Sequence, residues 1–284
     1  MTSRLLQRPG PAPTRGCAGG GGRRAAAPSL AVPRRVVTAA PRRFITPMPP
    51  TAAASPPAAV AADRGAPAAV DADEYNQRWN EIWDGGLEPG ALFDLGCATP
   101  ILERLLAGGT LGPMKGKAWL VPGCGRGYDV VAAAAAGAAA VGLDLSQTAV
   151  REAEGHRDAA APPGAAARAK FVAGDFFAHE DPSGPYDFGW DYTFLCALHP
   201  SMRKGWAAAW ARHLRPGGQL LTMVYPVDSS RDANTGPPWP VTPELYKELL
   251  LSAGFELIEL APIPQNQSHA KRVGREWLGR WQRK

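Results

Sequence analysis

"LVPGCGRGYDVV", residues 120–131, is the stretch whose reading decides the fold. An apolar run ends at Pro122, glycines follow at 123, 125 and 127 with Cys124 and Arg126 between them, and an apolar stretch then resumes. A strand, a glycine turn and a helix start in that order make a nucleotide-binding crevice. Small residues there let a ligand approach the backbone where the helix amides point outward. Taken alone, the loop reads equally well as a turn that packs a helix on a strand. Its GxGxG spacing is narrower than the GxGxxG of a dinucleotide fingerprint.

Outward from the loop, strand and helix patterns alternate. "KAWLV" reads as the strand before it and "YDVVAAAAA" as the helix after it; then come "AAVGLDL" (strand), "SQTAVREAEGHRD" (helix) and "AKFVAGD" (strand). A second series follows, with a strand in "YDFGWDYTFLCAL", a helix in "PSMRKGWAAAWARHL" and a strand in "GGQLLTMVY". It closes with a helix in "TPELYKELLLSAG" and a strand in "FELIELAP". Pro200 belongs in the first turn of its helix, while Thr242, Pro243 and Gly254 are the N-cap, first position and stop of the next. Such alternation predicts an α/β fold, a doubly wound parallel sheet with helices on both faces. Upstream, "DADEYNQRWNEIWDGG" and "CATPILERLLAGG" read as short helices, the first with Trp79 and Trp83 on one face.

The next strand tips separate the two readings of the glycine loop. "VGLDLS" ends the second strand at Asp144, where a carboxylate can accept from both hydroxyls of a ribose. "AGDFF" puts Asp175 at the end of the third strand, positioned for an adenine amino group, with Phe176 beside the ring. Each acid alone reads as a turn residue or cap. Together with the glycine loop, on three successive strand tips, they point to an adenosine-bearing cofactor.

Charge excludes one class of partner. The chain carries +5 overall, but residues 1–62 hold nine of its 31 basic residues and none of its 26 acids, which leaves −4 for residues 63–284. A mildly acidic body lacks the footprint of a nucleic-acid binder. The arginine-rich, acid-free start has the composition of an organelle transit peptide, so residues 1–70 are expected to be disordered and cleaved on entry to a chloroplast or mitochondrion; otherwise the protein is cytoplasmic. The folded domain is then 71–284. No breaker-free run of eighteen apolar residues suggests a membrane span. Cysteines at 17, 97, 124 and 196 form no CxxC pair and no histidine cluster accompanies them, so no metal is expected.

With "LRPGGQLL" (214–221) added to the glycine loop and the two aspartates, the sequence resembles the class I S-adenosylmethionine-dependent methyltransferases. From about Tyr75 onward it is similar, more narrowly, to the thiopurine methyltransferase family and its plant and fungal thiol, thiocyanate and halide methyltransferases. "WNEIWDGG", "CATP", "LVPGCGRGYDVV", "VGLDLS", "GDFF", "DYTFLCALHP", "VYP" with "GPPWPV", and "WLGRWQRK" carry that likeness. The resemblance implies a mostly parallel seven-stranded sheet and S-adenosyl-L-methionine as cofactor. It implies that Trp79 and Trp83 close over the cofactor with an aromatic from the next loop, here Phe93 where plant relatives usually have tryptophan. It also implies that Gly123, Asp144, Asp175, Phe176 and Tyr192 line the cofactor site.

The expected substrate is a small soft anion, a halide ion such as iodide, thiocyanate or bisulfide, methylated by a monomer. Such nucleophiles need alignment and a dry site rather than a base. Tyr225, at the end of the fifth strand, is the candidate catalytic residue, with Trp239 beside it. His199 is expected to be a helix cap, Cys196 a buried apolar residue and Arg126 solvated. One alternative is a larger organic or heterocyclic thiol, held by Arg231 in "DSSRDANTGPPW". Two others are an NAD-dependent dehydrogenase, disfavoured by the glycine spacing and the lack of a Tyr-x-x-x-Lys pair, and a binding module without catalysis.

Overall fold

The computed structural model describes residues 71–284, so the expected transit segment lies outside the described residues. The seven strands are β1 (Ala118–Pro122), β2 (Ala139–Asp144), β3 (Ala169–Ala173), β4 (Tyr186–Tyr192), β5 (Leu214–Val224), β6 (Phe255–Pro262) and β7 (Trp277–Arg283). They form one sheet in the order β3-β2-β1-β4-β5-β7-β6. The pairs among β1 to β5 are parallel, and β7 runs antiparallel between β5 and β6. The expected mostly parallel seven-stranded sheet is therefore present. β1 and β4 lie at its centre and are buried along almost their whole length, as near-continuous apolar strands covered on both faces must be.

Helices α1 (Ala72–Asp84) and α2 (Pro100–Ala107) precede the sheet; α3 (Tyr128–Ala135), α4 (Gln147–Ala160), α5 (Arg203–His213) and α6 (Pro243–Ser252) connect its strands. Local chemistry sets their starts. The Ser146 hydroxyl accepts from the Ala149 amide at α4, and the Thr242 hydroxyl accepts from the Leu245 amide ahead of Pro243 at α6. Two buried clusters cover opposite faces of the sheet, since alternate residues of β1 and β5 fall in different ones: one holds Trp119 and Trp190, the other Trp206, Trp210 and Trp281. All five indoles are fully buried, each stabilising the fold by roughly 1.5–3 kcal/mol or more on area grounds.

Three details differ from the sequence reading. Pro200 opens a separate 3-10 turn (Pro200–Met202) before α5, and His199 caps it by accepting from the Ser201 amide. The "LRPGG" segment, which the sequence reading divided between the end of a helix and the start of a strand, belongs wholly to β5, which pairs Leu214 with Tyr186 before a register shift. "WLGRWQR" was not assigned to an element and is β7, where Trp281 pairs with Leu220 on one side and Leu257 on the other. No helix among the described residues is long and apolar enough to cross a membrane.

Candidate active site

A cavity of about 570 Å³ lies at the carboxyl ends of β1 to β5, where a doubly wound sheet places its ligands. Nine of the residues singled out in the sequence line it: Trp79, Trp83, Phe93, Gly123, Asp144, Asp175, Phe176, Tyr192 and Tyr225. Topology brings them together from seven separate segments. Such convergence is what turns strand tips into a site.

The glycine loop is shaped by close approach. Gly123 has φ +56°, and a Cβ there would sit 2.7 Å from the Phe194 ring; Gly125 has φ +50° and would meet Trp83 at 3.3 Å. Neither position can take a side chain without moving an aromatic wall of the cavity. The Gly125 amide donates to Asp144 Oδ2 at 2.9 Å and the Ser146 amide donates to Oδ1 at 3.0 Å. Burial pushes the Asp144 carboxyl up from its usual value, and these amides pull it back down. A carboxylate accepts up to about four donors, so the backbone amides leave it capacity for a vicinal diol. Asp175 accepts from the Phe177 amide at 3.0 Å. The Phe176 ring borders the cavity but is mostly committed to the core, against Phe194, Trp210 and His213.

An aromatic wall closes the opposite side. Trp79 and Trp83 present their rings to Phe93 edge-on, with centroids 5.8 and 6.1 Å apart. The chain from Gly85 to Thr99, between α1 and α2, thus lies against the cavity rather than away from it. Asp94 holds this segment in shape by accepting from the Gly96 amide at 2.6 Å and the Gly90 amide at 3.3 Å.

At the far end stands a residue that no motif announced. The Arg272 guanidinium carbon is 4.6 Å from the centroid of Tyr192 and 4.5 Å from that of Tyr225. Arg272 is 4% exposed, its Nη2 donates to the Phe93 carbonyl at 3.1 Å, and its Nη1 is buried with no hydrogen-bond partner. A buried, charged donor without an acceptor is costly unless a ligand supplies one. Behind it, Glu276 accepts from the Tyr192 hydroxyl at 3.4 Å and from the Ser268 hydroxyl. Burial raises the Glu276 carboxyl, while Arg272 and these donors lower it. The signal for Arg272 was weak because it sits in the irregular "QSHAKRVGR" connection between β6 and β7, where spacing carries no face information.

Three expectations for side chains need correction. Arg126 is not solvated: its side chain is 9% exposed, its Nε donates to Asp94 at 2.9 Å, and its other nitrogens reach Glu152 and the Leu87 carbonyl. Trp239 does not join Tyr225. Its indole donates to the Tyr75 hydroxyl at 2.9 Å and packs edge-on against His199, and Pro237 and Pro238 of the same loop line the cavity instead. Arg231 donates to the Pro238 carbonyl at 3.1 Å and does not line the cavity, so it braces the loop. The free thiols Cys124 and Cys196 are both pushed up by burial, Cys196 to about 12, so neither is a nucleophile at neutral pH.

Comparison with known proteins agrees with this arrangement. The chain is 39% identical to "Probable thiol methyltransferase 2" of Arabidopsis thaliana over 205 residues, 72% of this chain and 84% of the relative. It is 38% identical to "Thiocyanate methyltransferase 1" of Brassica oleracea over 208 residues, with the same coverage. A solved structure of the glycopeptide N-methyltransferase MtfA in complex with S-adenosyl-L-methionine superposes with a TM-score of 0.53 at 17% identity, covering 70% of this chain and all of that one, a likeness of fold. The family model described as thiopurine S-methyltransferase matches residues 71–283. Sheet order, glycine loop, strand-tip aspartates and these matches agree, and the chain belongs to the thiopurine S-methyltransferase family.

Proposed function

We propose that this enzyme methylates small soft anions, thiocyanate, bisulfide and halide ions such as iodide, giving methyl thiocyanate, methanethiol or a methyl halide together with S-adenosylhomocysteine. The methyl donor is S-adenosyl-L-methionine. The residues present fit it: a glycine loop that no Cβ can enter, a buried aspartate with capacity for two hydroxyl donors, and aromatic walls. In this reading Gly123 and Asp144 hold the sugar side, Asp175 and Phe176 the adenine side, and Trp79, Trp83, Phe93 and Tyr192 enclose the rest. When bound, the donor supplies a methyl group already activated by a sulfonium charge.

The observation that carries the anion reading is Arg272 Nη1, a buried N–H without an acceptor in a cavity-lining residue beside Tyr225. A guanidinium in a low-dielectric pocket favours the charged form of a nucleophile and supplies a hydrogen bond that survives desolvation. The two tyrosine rings hold that cation without neutralising it. Tyr225 orients the anion with its hydroxyl, and the aromatic wall excludes water that would otherwise hydrate the anion and blunt it. Weakly hydrated, polarisable anions lose least on entering, so iodide is expected to outrun bromide, and bromide chloride.

The test is headspace gas chromatography of the purified full-length protein with S-adenosylmethionine and, separately, thiocyanate, bisulfide and iodide. Volatile methyl product above the enzyme-free control supports the reading. Cofactor binding without product in any vial, but with methylation of a bulky aromatic thiol, transfers the assignment to organic thiols. The arginine-rich start supports delivery to a chloroplast or mitochondrion, which a fluorescent fusion of the full chain tests against diffuse cytoplasmic signal.

A further inference from the structure

The glycine loop does more than leave room for a ligand, because its one charged side chain, Arg126, reaches back across the cavity rim. All three guanidinium nitrogens are used: Nε on Asp94 at 2.9 Å, Nη1 on Glu152 of α4, and Nη2 on the Leu87 carbonyl. The same guanidinium lies 5.6 Å from the centroid of Trp83. Leu87 and Asp94 bracket the segment that carries Phe93, and Asp94 in turn organises Gly90 and Gly96. One side chain therefore joins the loop under the cavity, the segment over it and the helix beside it.

Few other ties hold that segment. Lys271 Nζ donates to the Gly90 carbonyl at 2.7 Å and Arg272 donates to the Phe93 carbonyl, both from the acceptor end. Leu92 in its middle is 75% exposed and sits at φ +49°, a conformation unfavourable for a side chain with a Cβ. Leu87 is buried and Ala91 and Phe93 pack beside it, but Glu88, Pro89 and Leu92 are exposed, and a segment so anchored only at points and pinned by charged hydrogen bonds belongs to the low-stability part of a fold. Arg126 pins the end next to Gly125 and Asp144.

We infer that Arg126 is a positioning residue that latches the 87–94 segment over the cofactor, and that this latch must break for cofactor and product to exchange. The inference rests on reading the cavity as the cofactor site. It predicts that Arg126 governs retention of the adenosyl group and leaves acceptor recognition at Arg272 and Tyr225 intact. Because the Glu152 end of the latch is half exposed, opening can begin there and proceed inward to the buried Asp94.

The experiment uses the full-length protein with S-adenosylhomocysteine as probe. Wild-type binding by calorimetry comes first; no binding overturns the cofactor-site reading itself. Given binding, Arg126→Gln is expected to raise the stopped-flow dissociation rate about tenfold and the KM for S-adenosylmethionine similarly, with the KM for thiocyanate within twofold. Glu152→Gln, which removes only the outer contact, is expected to raise the dissociation rate about threefold. An unchanged dissociation rate in both variants overturns the latch. So does an equal rise in both KM values accompanied by a lower melting temperature of the ligand-free protein, the mark of general loosening.

Discussion

The Arg272 guanidinium carbon lies 4.5 Å from the centroid of the Tyr225 ring, at the β5 end of the cavity. Among the described residues Arg272 forms no ion pair; aromatic faces and the Phe93 carbonyl hold it, and the Glu276 and Asp129 carboxylates act on its charge from farther off. That arrangement leaves Nη1 available as a donor to whatever enters.

Replacing Arg272 with Gln removes the charge while keeping a donor for the Phe93 carbonyl. A charged hydrogen bond of roughly 1.5–3 kcal/mol corresponds to a loss of about 10- to 150-fold in kcat/KM for thiocyanate. Initial rates at saturating S-adenosylmethionine measure it. A loss under threefold means that the cation does not hold the acceptor.

Tyr225 has two separable contributions. Tyr225→Phe keeps the ring under Arg272 and loses the hydroxyl, with an expected fall of about tenfold in kcat/KM for thiocyanate. Tyr225→Ala loses both and is expected to approach the Arg272→Gln value. In the double variant Tyr225→Ala, Arg272→Gln the losses are then far from additive, since the two groups act as a unit. Additive losses in this cycle argue for independent roles.

Asp144 is tested through the cofactor. Asp144→Asn keeps the shape but exchanges an acceptor oxygen for a donor facing the Gly125 or Ser146 amide, and it weakens both ribose contacts. The KM for S-adenosylmethionine is expected to rise about 10- to 100-fold while the KM for thiocyanate stays within twofold. Equal changes in both point to collapse of the glycine loop instead.

His213 gives the fold an acid-sensitive element. Buried beside Phe176 and within 2.9 Å of its carbonyl, it is pushed down from 6.5 to about 4, chiefly by burial. The unfolded chain therefore binds a proton that the folded chain refuses, and stability falls as pH drops from 6.5 towards 4. The slope from this group is at most about 1.4 kcal/mol per pH unit. His213→Gln is expected to flatten urea-unfolding stability across that window relative to pH 8, and an unchanged slope would falsify the assignment.

Much of this was legible in the residues because it is local. Strand-end aspartates, the glycine spacing and the four-residue offset of Trp79 and Trp83 are fixed by backbone periodicity, and all of them face one cavity. Arg126 and Arg272 were misread or missed for the opposite reason. Their partners, Asp94, Glu152, Phe93 and the tyrosine rings, are 26 to 179 residues away in the chain or come from loops without periodicity. Trp239 shows the same limit: its partner Tyr75 is 164 residues distant, and that contact turns the indole away from the cavity. β7 was unassigned because "WLGRWQR" mixes glycine and arginine into a strand whose neighbours on both sides supply the apolar cover.

The position of β7 also dictates an order of assembly. It is the last strand in the chain, yet it stands between β5 and β6, so β6 has no sheet neighbour until β7 has been inserted. The loop leading into β7 carries Arg272. Arg272 therefore reaches the cavity only through a loop anchored by that insertion. The proposed anion donor and the last pairing of the sheet thus stand or fall together.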